Sequence, residues 1–449
     1  MKKWCLSPFF LVLLWPAAAG AIRVGEPVVE LTAVGDESRL VELLNVGGAP
    51  LFVAKTGSRM EGFVLDDDGR AGAPVFSAPT NPFNQSAGTV SSDRRSSSFL
   101  VTFTEIPPSR LFPWIRTRRH GTDGREPGTV HPIDSSGVIG EEPRIATDGA
   151  GNGMVVWRSF RGNRQIFALR GRAVDADGAP VAAEFEIAAP IAGAIAVLPS
   201  GADDGSFLAF WSTDSRVHAA RIDAQGVREP PRVLADDVLR FFDVRVVMGR
   251  SDNELILAYF DFICDAGELC PSVSARRYDG ASLDPLGDAF VLAAGGGRPS
   301  DFDVAARDDG DYTIAWSDHG SLEIRARDFR SDGTLLGPPV TVASGVANPV
   351  RAEAVGDRVL VAWTTVRVPR NESRTLVRAM IDAVECGNVV RDGAVSATDA
   401  LRTLSAAVGA ADCSPCVCDV GLPTGVDATD ALRILRAAVG LVQTLDCPC

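Results

Sequence analysis

The sequence is poor in the residues that most hydrolytic and redox centres rely on. Its 449 residues include four histidines and three tyrosines. His120, His131, His218 and His319 show no HxxxH or HExxH spacing, which excludes a helix-borne zinc hydrolase centre. No G-x-S-x-G turn is present, which excludes the nucleophile elbow of α/β-hydrolases. Lysine is scarce, so the basic residues are almost all arginine, and acids outnumber them to give a formal net charge of −14. Such a chain repels phosphate backbones, and nucleic-acid binding is excluded on that ground. No stretch approaches the run of about 20 apolar residues that a membrane-spanning helix needs.

What the chain has begins with MKKWCLSPFFLVLLWPAAAGA. Lys2 and Lys3, the apolar Phe9–Trp15 and the small-residue Ala19-Gly20-Ala21 are read as a secretory signal peptide over residues 1–21. Its removal leaves an even number of cysteines in an oxidising compartment. Cys264 and Cys270 are expected to close a disulfide across a loop. The other six, Cys386, Cys413, Cys416, Cys418, Cys447 and Cys449, crowd into the end of the chain and mark a boundary there. Disulfides are the expected state of these six, and fifteen pairings stay open.

The body of the chain is organised around one unit, Glu142–Ala189. MVVWRS (Met154–Ser159) is an apolar run too short for a helix and bounded by turn residues, as in a strand buried on both faces. DGAGNG and DADG supply the turns around it. The same apolar strand recurs at LFVAKT (Lys55), FLVTFTE (Phe103), FLAFWST (Trp211), LILAYFDF (Phe260), YTIAWSD (Trp316) and VLVAWTT (Trp363). With Trp157 included, the spacings are 48, 54, 54, 49, 56 and 47 residues. Four strands per period of about fifty residues predict a mainly β fold, a seven-bladed β-propeller over residues 22–383. The seventh unit stops at VRAMIDA without a fourth strand. Val24–Val34 is expected to supply it and close the ring, removing an exposed sheet edge.

The propeller part resembles the loose propeller repeats of secreted bacterial proteins, without the GH…WD or double-glycine patterns of the better-known repeats. No catalytic residue is assigned. The Asp-Gly turns are read as hairpin turns in preference to calcium sites. A sialidase is set aside because the box spacing is wrong and Tyr259, Tyr278 and Tyr312 fall in or beside predicted strands. The four histidines are expected on the surface, and Arg116, Arg118 and Arg119 on a solvated face.

From residue 384 to 449 the pattern is helical and duplicated. SATDALRTLSAAVG (Ser396–Gly409) and DATDALRILRAAVG (Asp427–Gly440) place Leu401, Leu404 and Val408, and again Leu432, Leu435 and Val439, at helical spacing. Each helix follows a twelve-residue loop, Asn388–Asp399 and Asp419–Asp430. These residues resemble a type I dockerin, a paired EF-hand-like loop–helix module. The resemblance implies calcium as cofactor, docking to a cohesin-like partner on a scaffold or cell surface, and a role in polysaccharide catabolism. It implies metal ligands at Asn388, Asp392, Ala394 (through its carbonyl), Ser396 and Asp399 in the first loop. In the second they are Asp419, Gly425 (through its carbonyl), Asp427 and Asp430. Gly421 and Pro423 remove donors from the second loop, which is therefore the poorer site. Partner contacts fall on Ala397, Thr398, Ala428 and Thr429.

The functional expectation is a secreted, non-enzymatic binding or display propeller, with a polysaccharide or protein ligand, tethered through this module. The alternative is a glycoside hydrolase with its active site in the propeller, which requires paired carboxylates there. A third reading makes the helical segment a disulfide-stapled cap.

Overall fold

The structure is a computed structural model. The residues it describes are 23–24, 29–30, 38–56, 59–65, 71–79, 88–91, 98–105, 113–123, 128–134, 139–160, 167–193, 195–200, 204–213, 215–236, 244–249, 253–262, 271–293, 299–307, 310–344, 347–355, 358–367, 372–381, 395–410, 418, 420, 426–439, 441 and 445. The chain divides into two compact units, Ile22–Ile381 and a second that contains Asp382–Cys449. The segment read as a signal peptide lies outside the described residues, as do Cys264, Cys270, Cys386, Cys413, Cys416, Cys447 and Cys449.

The first unit is a β-propeller. Six of its sheets are built from strands that follow one another in sequence. Their innermost strands are Ser38–Val46, Gly88–Ser91, Ile139–Thr147, Ile195–Pro199, Val244–Met248 and Pro299–Ala306. The sequence expects seven equivalent units, but the last sheet is of a different kind. Ala347–Val355, Arg358–Arg367 and Glu372–Ile381 are joined there by Arg23–Val24 and Val29–Glu30 from the other end of the chain. Arg23 pairs with Ile381 and Val29 with Val377, so the composite sheet ties the two ends of the unit together.

The second strand of each sheet is buried on both faces, as its continuous apolar run requires. All of Tyr312–Asp318 is buried, and so are the six central residues of Ser98–Glu105. Both faces are covered by neighbouring sheets. Met154 and Val156 pack with Phe207, Ala209 and Trp211 of the next sheet, and Phe260 and Val273 pack with Phe302 and Trp316. Leu43 and Phe52 of the first sheet pack with Leu360 and Ala362 of the composite sheet, which completes the circuit. Trp157 and Trp363 are fully buried at these boundaries; each such side chain contributes roughly 2–3 kcal/mol through burial.

Register corrects one landmark. Val244 pairs with Tyr259 as Ile195 pairs with Trp211 and Val350 with Trp363. Tyr259, one place before Phe260, therefore occupies the tryptophan position of its sheet. All three tyrosines are core residues: Tyr259 and Tyr312 are buried, and the Tyr278 hydroxyl donates to the Leu234 carbonyl.

The innermost strands have an open edge facing the axis, and side chains of the neighbouring sheet close part of it. Thr89 Oγ1 and Ser91 Oγ accept from the amides of Ile145 and Thr147, each at 3.1 Å. Asp301 and Asp303 do the same for Val350 and Ala352, at 2.6 and 3.0 Å. An unpaired buried amide costs about 1–3 kcal/mol, so these contacts fix the stacking of adjacent sheets.

In the second unit, α1 (Ala397–Ala407) and α2 (Ala428–Ala438) contact each other. Their shared core is Ala400, Val420 and Ile434, with Val395 and Leu445 against it. Gly409 takes φ +71°, and the Ala410 amide reaches back to the Ser405 carbonyl at 2.8 Å, a left-handed helix stop that glycine permits.

Candidate functional site

One level of the propeller's inner strands gathers charge. On six inner strands the residue paired with the position just before the aromatic of the second strand is Thr89, Arg144, Ala196, Arg245, Asp303 or Arg351. Their partners are Thr102, Val156, Phe210, Ala258, Ala315 and Ala362. On Ser38–Val46 a bulge between Leu40 and Glu42 brings Glu42 into this company. Further bulges interrupt the inner strands between Glu141 and Arg144, Pro299 and Asp301, and Ala347 and Val350. Bulges of this kind re-aim side chains beside functional sites.

Glu42 feels the charges of Arg351, Asp303, Arg144 and Arg245, in that order of strength. Burial is the largest influence on it and pushes its carboxyl above the ordinary 4.5; Asp303 pushes the same way, and the arginines oppose both. Asp303 is held differently. It accepts from the Ala352 amide and pairs with Arg245 Nε at 3.2 Å. Asp301 lies within 3.7 Å of Arg245 and 3.5 Å of Arg351. Arg351 also donates to the Val350 carbonyl at 2.6 Å. Glu42, Arg144, Ala196, Arg245, Asp303 and Arg351 all keep partial solvent exposure. The arrangement unites an acid biased toward its protonated form, an ion-paired carboxylate and three guanidiniums. Its chemistry suits proton transfer and the binding of polar or anionic groups.

None of these residues is singled out by the sequence. They come from strands tens of residues apart and share no motif. The available signal is a charged residue flanked by apolar ones in the strand before the apolar run, as in PRIAT, DVRVV, FDVAA and PVRAE.

His120 is buried, not on the surface. It lies against Phe76 and Phe99 with ring centroids at 5.1 and 5.8 Å, and burial, aided by Arg118, holds it down at about 4. His218 stacks on Trp211 at 5.6 Å. Arg116 is likewise buried: it pairs with Glu105 and lies 4.3 Å over the Trp114 ring. The turn aspartates serve as turn acceptors. Asp148, Asp175, Asp223, Asp279 and Asp318 each take two backbone amides of their own turns. Asp134 is buried and accepts from the Ile115 amide at 3.1 Å; burial pushes it up to about 7.

In the helical unit, Asn388, Asp392, Ala394, Asp419 and Gly425 lie outside the described residues. Asp399 accepts from the Ser396 amide and hydroxyl, both at 2.7 Å. Asp430 accepts from the Asp427 amide at 2.9 Å and the Val420 amide at 3.1 Å, and Asp427 accepts from Thr429 and Asp430. As placed, these carboxylates cap helices. Among the described residues no group of three or more His, Cys, Asp or Glu is arranged to hold a metal ion. Cys418 is buried and disulfide-bonded. Ala397, Thr398, Ala428 and Thr429 sit in the first turns of α1 and α2.

The two apolar rows at helical spacing lie on the surface of the unit. Leu401, Leu404, Val408, Leu432, Leu435 and Val439 are all exposed, Leu401 by 64% and Val439 by 63%. Among the described residues no helix is long and apolar enough to cross a membrane.

No protein-family model matches the sequence, and no curated protein matches it. Among solved structures, a prolyl endopeptidase is 14% identical with a TM-score of 0.47; the match covers 77% of this chain and 48% of that one, so the chain spans about half the endopeptidase's length. An α-L-arabinofuranosidase from Fusarium graminearum is 12% identical, with a TM-score of 0.45 and 82% and 99% coverage of the two chains. An α-L-arabinanase from Penicillium chrysogenum is 11% identical, with a TM-score of 0.44 and coverage of 81% and 99%.

Proposed function

We propose that the propeller is a glycoside hydrolase head with its site at the inner-strand charge cluster. Glu42 serves as the proton donor and Asp303 as the second carboxyl group of the pair. The observation that carries this reading is the contrast between the two acids. Burial and a neighbouring carboxylate push Glu42 toward its protonated form, while Arg245 and the Ala352 amide hold Asp303. Two carboxyl groups in unlike environments are what acid-assisted glycosidic cleavage needs. The test is reducing-end release from a panel of polysaccharides by the wild-type protein and Glu42→Gln. The expected loss is about 10²–10⁴-fold, the range of a positioned general acid. Equal rates for the two proteins would remove Glu42 from the mechanism.

A second reading, a propeller that binds without cleaving, is favoured by one observation. Asp301 and Asp303 bond the amides of the next inner strand just as Thr89 and Ser91 do elsewhere in the ring. On this reading the aspartates are structural, and saccharide binding is seen with no reducing ends released.

The helical unit serves as a tether in both readings. Its support is the duplicated exposed row, Leu401, Leu404 and Val408 on α1 and Leu432, Leu435 and Val439 on α2, on the helices that Ala397-Thr398 and Ala428-Thr429 open. The partner proposed is a cohesin-like module on a secreted scaffold or cell surface, with calcium ordering the first loop. Chelation is expected to weaken capture of that partner by the full chain, and capture unchanged by chelator removes the calcium. Export with cleavage before Ile22 belongs to the same proposal and is checked by N-terminal sequencing of secreted protein.

A further inference from the structure

We infer that Asp301 is a positioning residue for the proposed reaction: it holds the Arg351 guanidinium in place beside Glu42, the proton donor. The inference rests on the hydrolase reading and adds the residue that sets its acid. The geometry begins with two bulges. One lies between Pro299 and Asp301 on the inner strand of the sixth sheet, the other between Ala347 and Val350 on that of the composite sheet. Just past them, Asp301 Oδ2 accepts from the Val350 amide at 2.6 Å. The same oxygen lies 3.5 Å from Arg351 Nη1, which also donates to the Val350 carbonyl at 2.6 Å. The guanidinium is thus held by a carboxylate and by the carbonyl of the residue which that carboxylate caps.

Capping alone does not account for an aspartate. Thr89 Oγ1 and Ser91 Oγ cap Ile145 and Thr147 in the same way with uncharged oxygens. A buried carboxylate costs more to desolvate than a hydroxyl, and it persists where a cation compensates it. Asp301 is 3% exposed and has two such cations, Arg351 and, 3.7 Å from its other oxygen, Arg245. Arg245 has a closer partner in Asp303, at 3.2 Å, so Arg351 is the cation that Asp301 orients.

Arg351 in turn stands by Glu42. Inner strands run parallel, as the successive contacts of Asp301 with Val350 and of Asp303 with Ala352 show. Asn45 Nδ2 donates to the Ala354 carbonyl at 3.3 Å, which fixes the inner strand of the first sheet against that of the composite sheet. Both strands are free of bulges over the three residues before that contact, and three steps back on each lie Glu42 and Arg351. The two residues therefore stand at one height on adjacent strands. Of the charges that act on Glu42, which are Arg351, Asp303, Arg144 and Arg245, that of Arg351 is the strongest. It favours the ionised carboxyl. A guanidinium drawn toward Asp301 leaves Glu42 its proton, and one released from Asp301 promotes its loss. Asp301 thereby sets the pH up to which Glu42 acts as an acid.

The test is the pH dependence of kcat for reducing-end release by the full-length protein. A general acid must carry its proton, so kcat falls as pH rises through the titration of Glu42. Asp301→Asn keeps an acceptor for the Val350 amide and removes the charge. Its alkaline limb is expected to move to lower pH, with a loss of at least about threefold at the midpoint of the wild-type limb. Asp301→Thr, which copies the cap at Thr89, is expected to give the same displacement and replaces the asparagine variant if that one folds poorly. Arg351→Gln moves the limb the other way. In that background Asp301→Asn moves it no further, because the aspartate acts through the arginine. A purely structural aspartate gives a lower rate at every pH with the limb unmoved; that result overturns the inference while the hydrolase reading stands. An undiminished displacement in the Arg351→Gln background overturns it too, by showing that Asp301 acts on Glu42 directly. Absence of reducing ends with the wild-type protein on every polysaccharide is a separate failure, that of the hydrolase reading, and takes the role of Asp301 with it.

Discussion

The two units of this protein place charge and apolar surface in opposite ways. The propeller buries its repeated aromatics, Trp157, Trp211, Tyr259, Trp316 and Trp363, and gathers partly exposed charge on its inner strands. The helical unit exposes its repeated leucines and valines and buries two carboxylates, Asp399 and Asp430. The same signal, a regularly recurring apolar residue, thus marks a core in one unit and a surface in the other. The reason is area. A four-stranded sheet has two faces to cover and covers both with its neighbours. Two eleven-residue helices touch along one narrow seam, which Ala400, Ile434 and Val420 fill. One such seam has room for few side chains, and the row on the other face of each helix is left outside.

The sharpest way to break the comparison is to truncate one apolar residue of each kind. Trp157→Ala opens a cavity between two sheets and is expected to cost about 3–5 kcal/mol in denaturant unfolding. A loss under about 1 kcal/mol would show that the sheet boundaries are not the main source of stability.

Burial of acids gives the next largest effect. Asp134 is raised to about 7 by burial, so the folded protein keeps a proton that the unfolded chain releases above its ordinary 3.8. The stability this represents is complete below that value and is lost as pH rises toward about 7, by up to about 4 kcal/mol. Asp134→Asn can still accept from the Ile115 amide. It should therefore be more stable than wild type at pH 8, with the difference closing toward pH 4; thermal melts across that range measure it. His120 works in the opposite sense. Its depression to about 4 gives stability that is present above 6.5 and lost as pH falls toward 4. His120→Phe should soften that acid limb.

In the helical unit the buried carboxylates act as caps. Asp430→Ala frees the amides of Asp427 and Val420 and is expected to destabilise the unit by about 1–2 kcal/mol. The smallest effect belongs to the exposed row. Leu401→Ser with Leu432→Ser should change unfolding free energy by no more than about 0.5 kcal/mol while abolishing partner capture. A large loss of stability would mean that these leucines are core residues after all.

How much could be read beforehand follows from the same physics. The propeller was legible because each second strand must be apolar along its whole length, which yields a period visible without any motif. The joining of the chain ends was legible because the last unit lacks a strand and Val24–Val34 resembles one. The composite character of that sheet, and Tyr259 in the tryptophan position, needed the pairing register. The charge cluster was not legible. Glu42, Arg144, Arg245, Asp303 and Arg351 contribute one residue per sheet, and only the circular arrangement of the sheets brings them together. In the helical unit the two helices were legible from the Thr-Asp pairs that open them, but not that Ser396 and Asp427 are the caps, nor which face is buried. Helical spacing states that residues share a face and leaves open what the face meets.

The central claim is that inner-strand residues from separate sheets form one electrostatic unit around Glu42. Carbon-13 NMR titration of the Glu42 carboxyl, assigned by comparison with Glu42→Gln, tests this most directly. The expected result is a midpoint above the ordinary 4.5 that shifts upward in Arg351→Gln, because Arg351 is the strongest favourable charge on the ionised form. A midpoint at or below 4.5, unmoved by Arg351→Gln, would show that Glu42 stands apart from the other sheets, and the proposed site would fall with it.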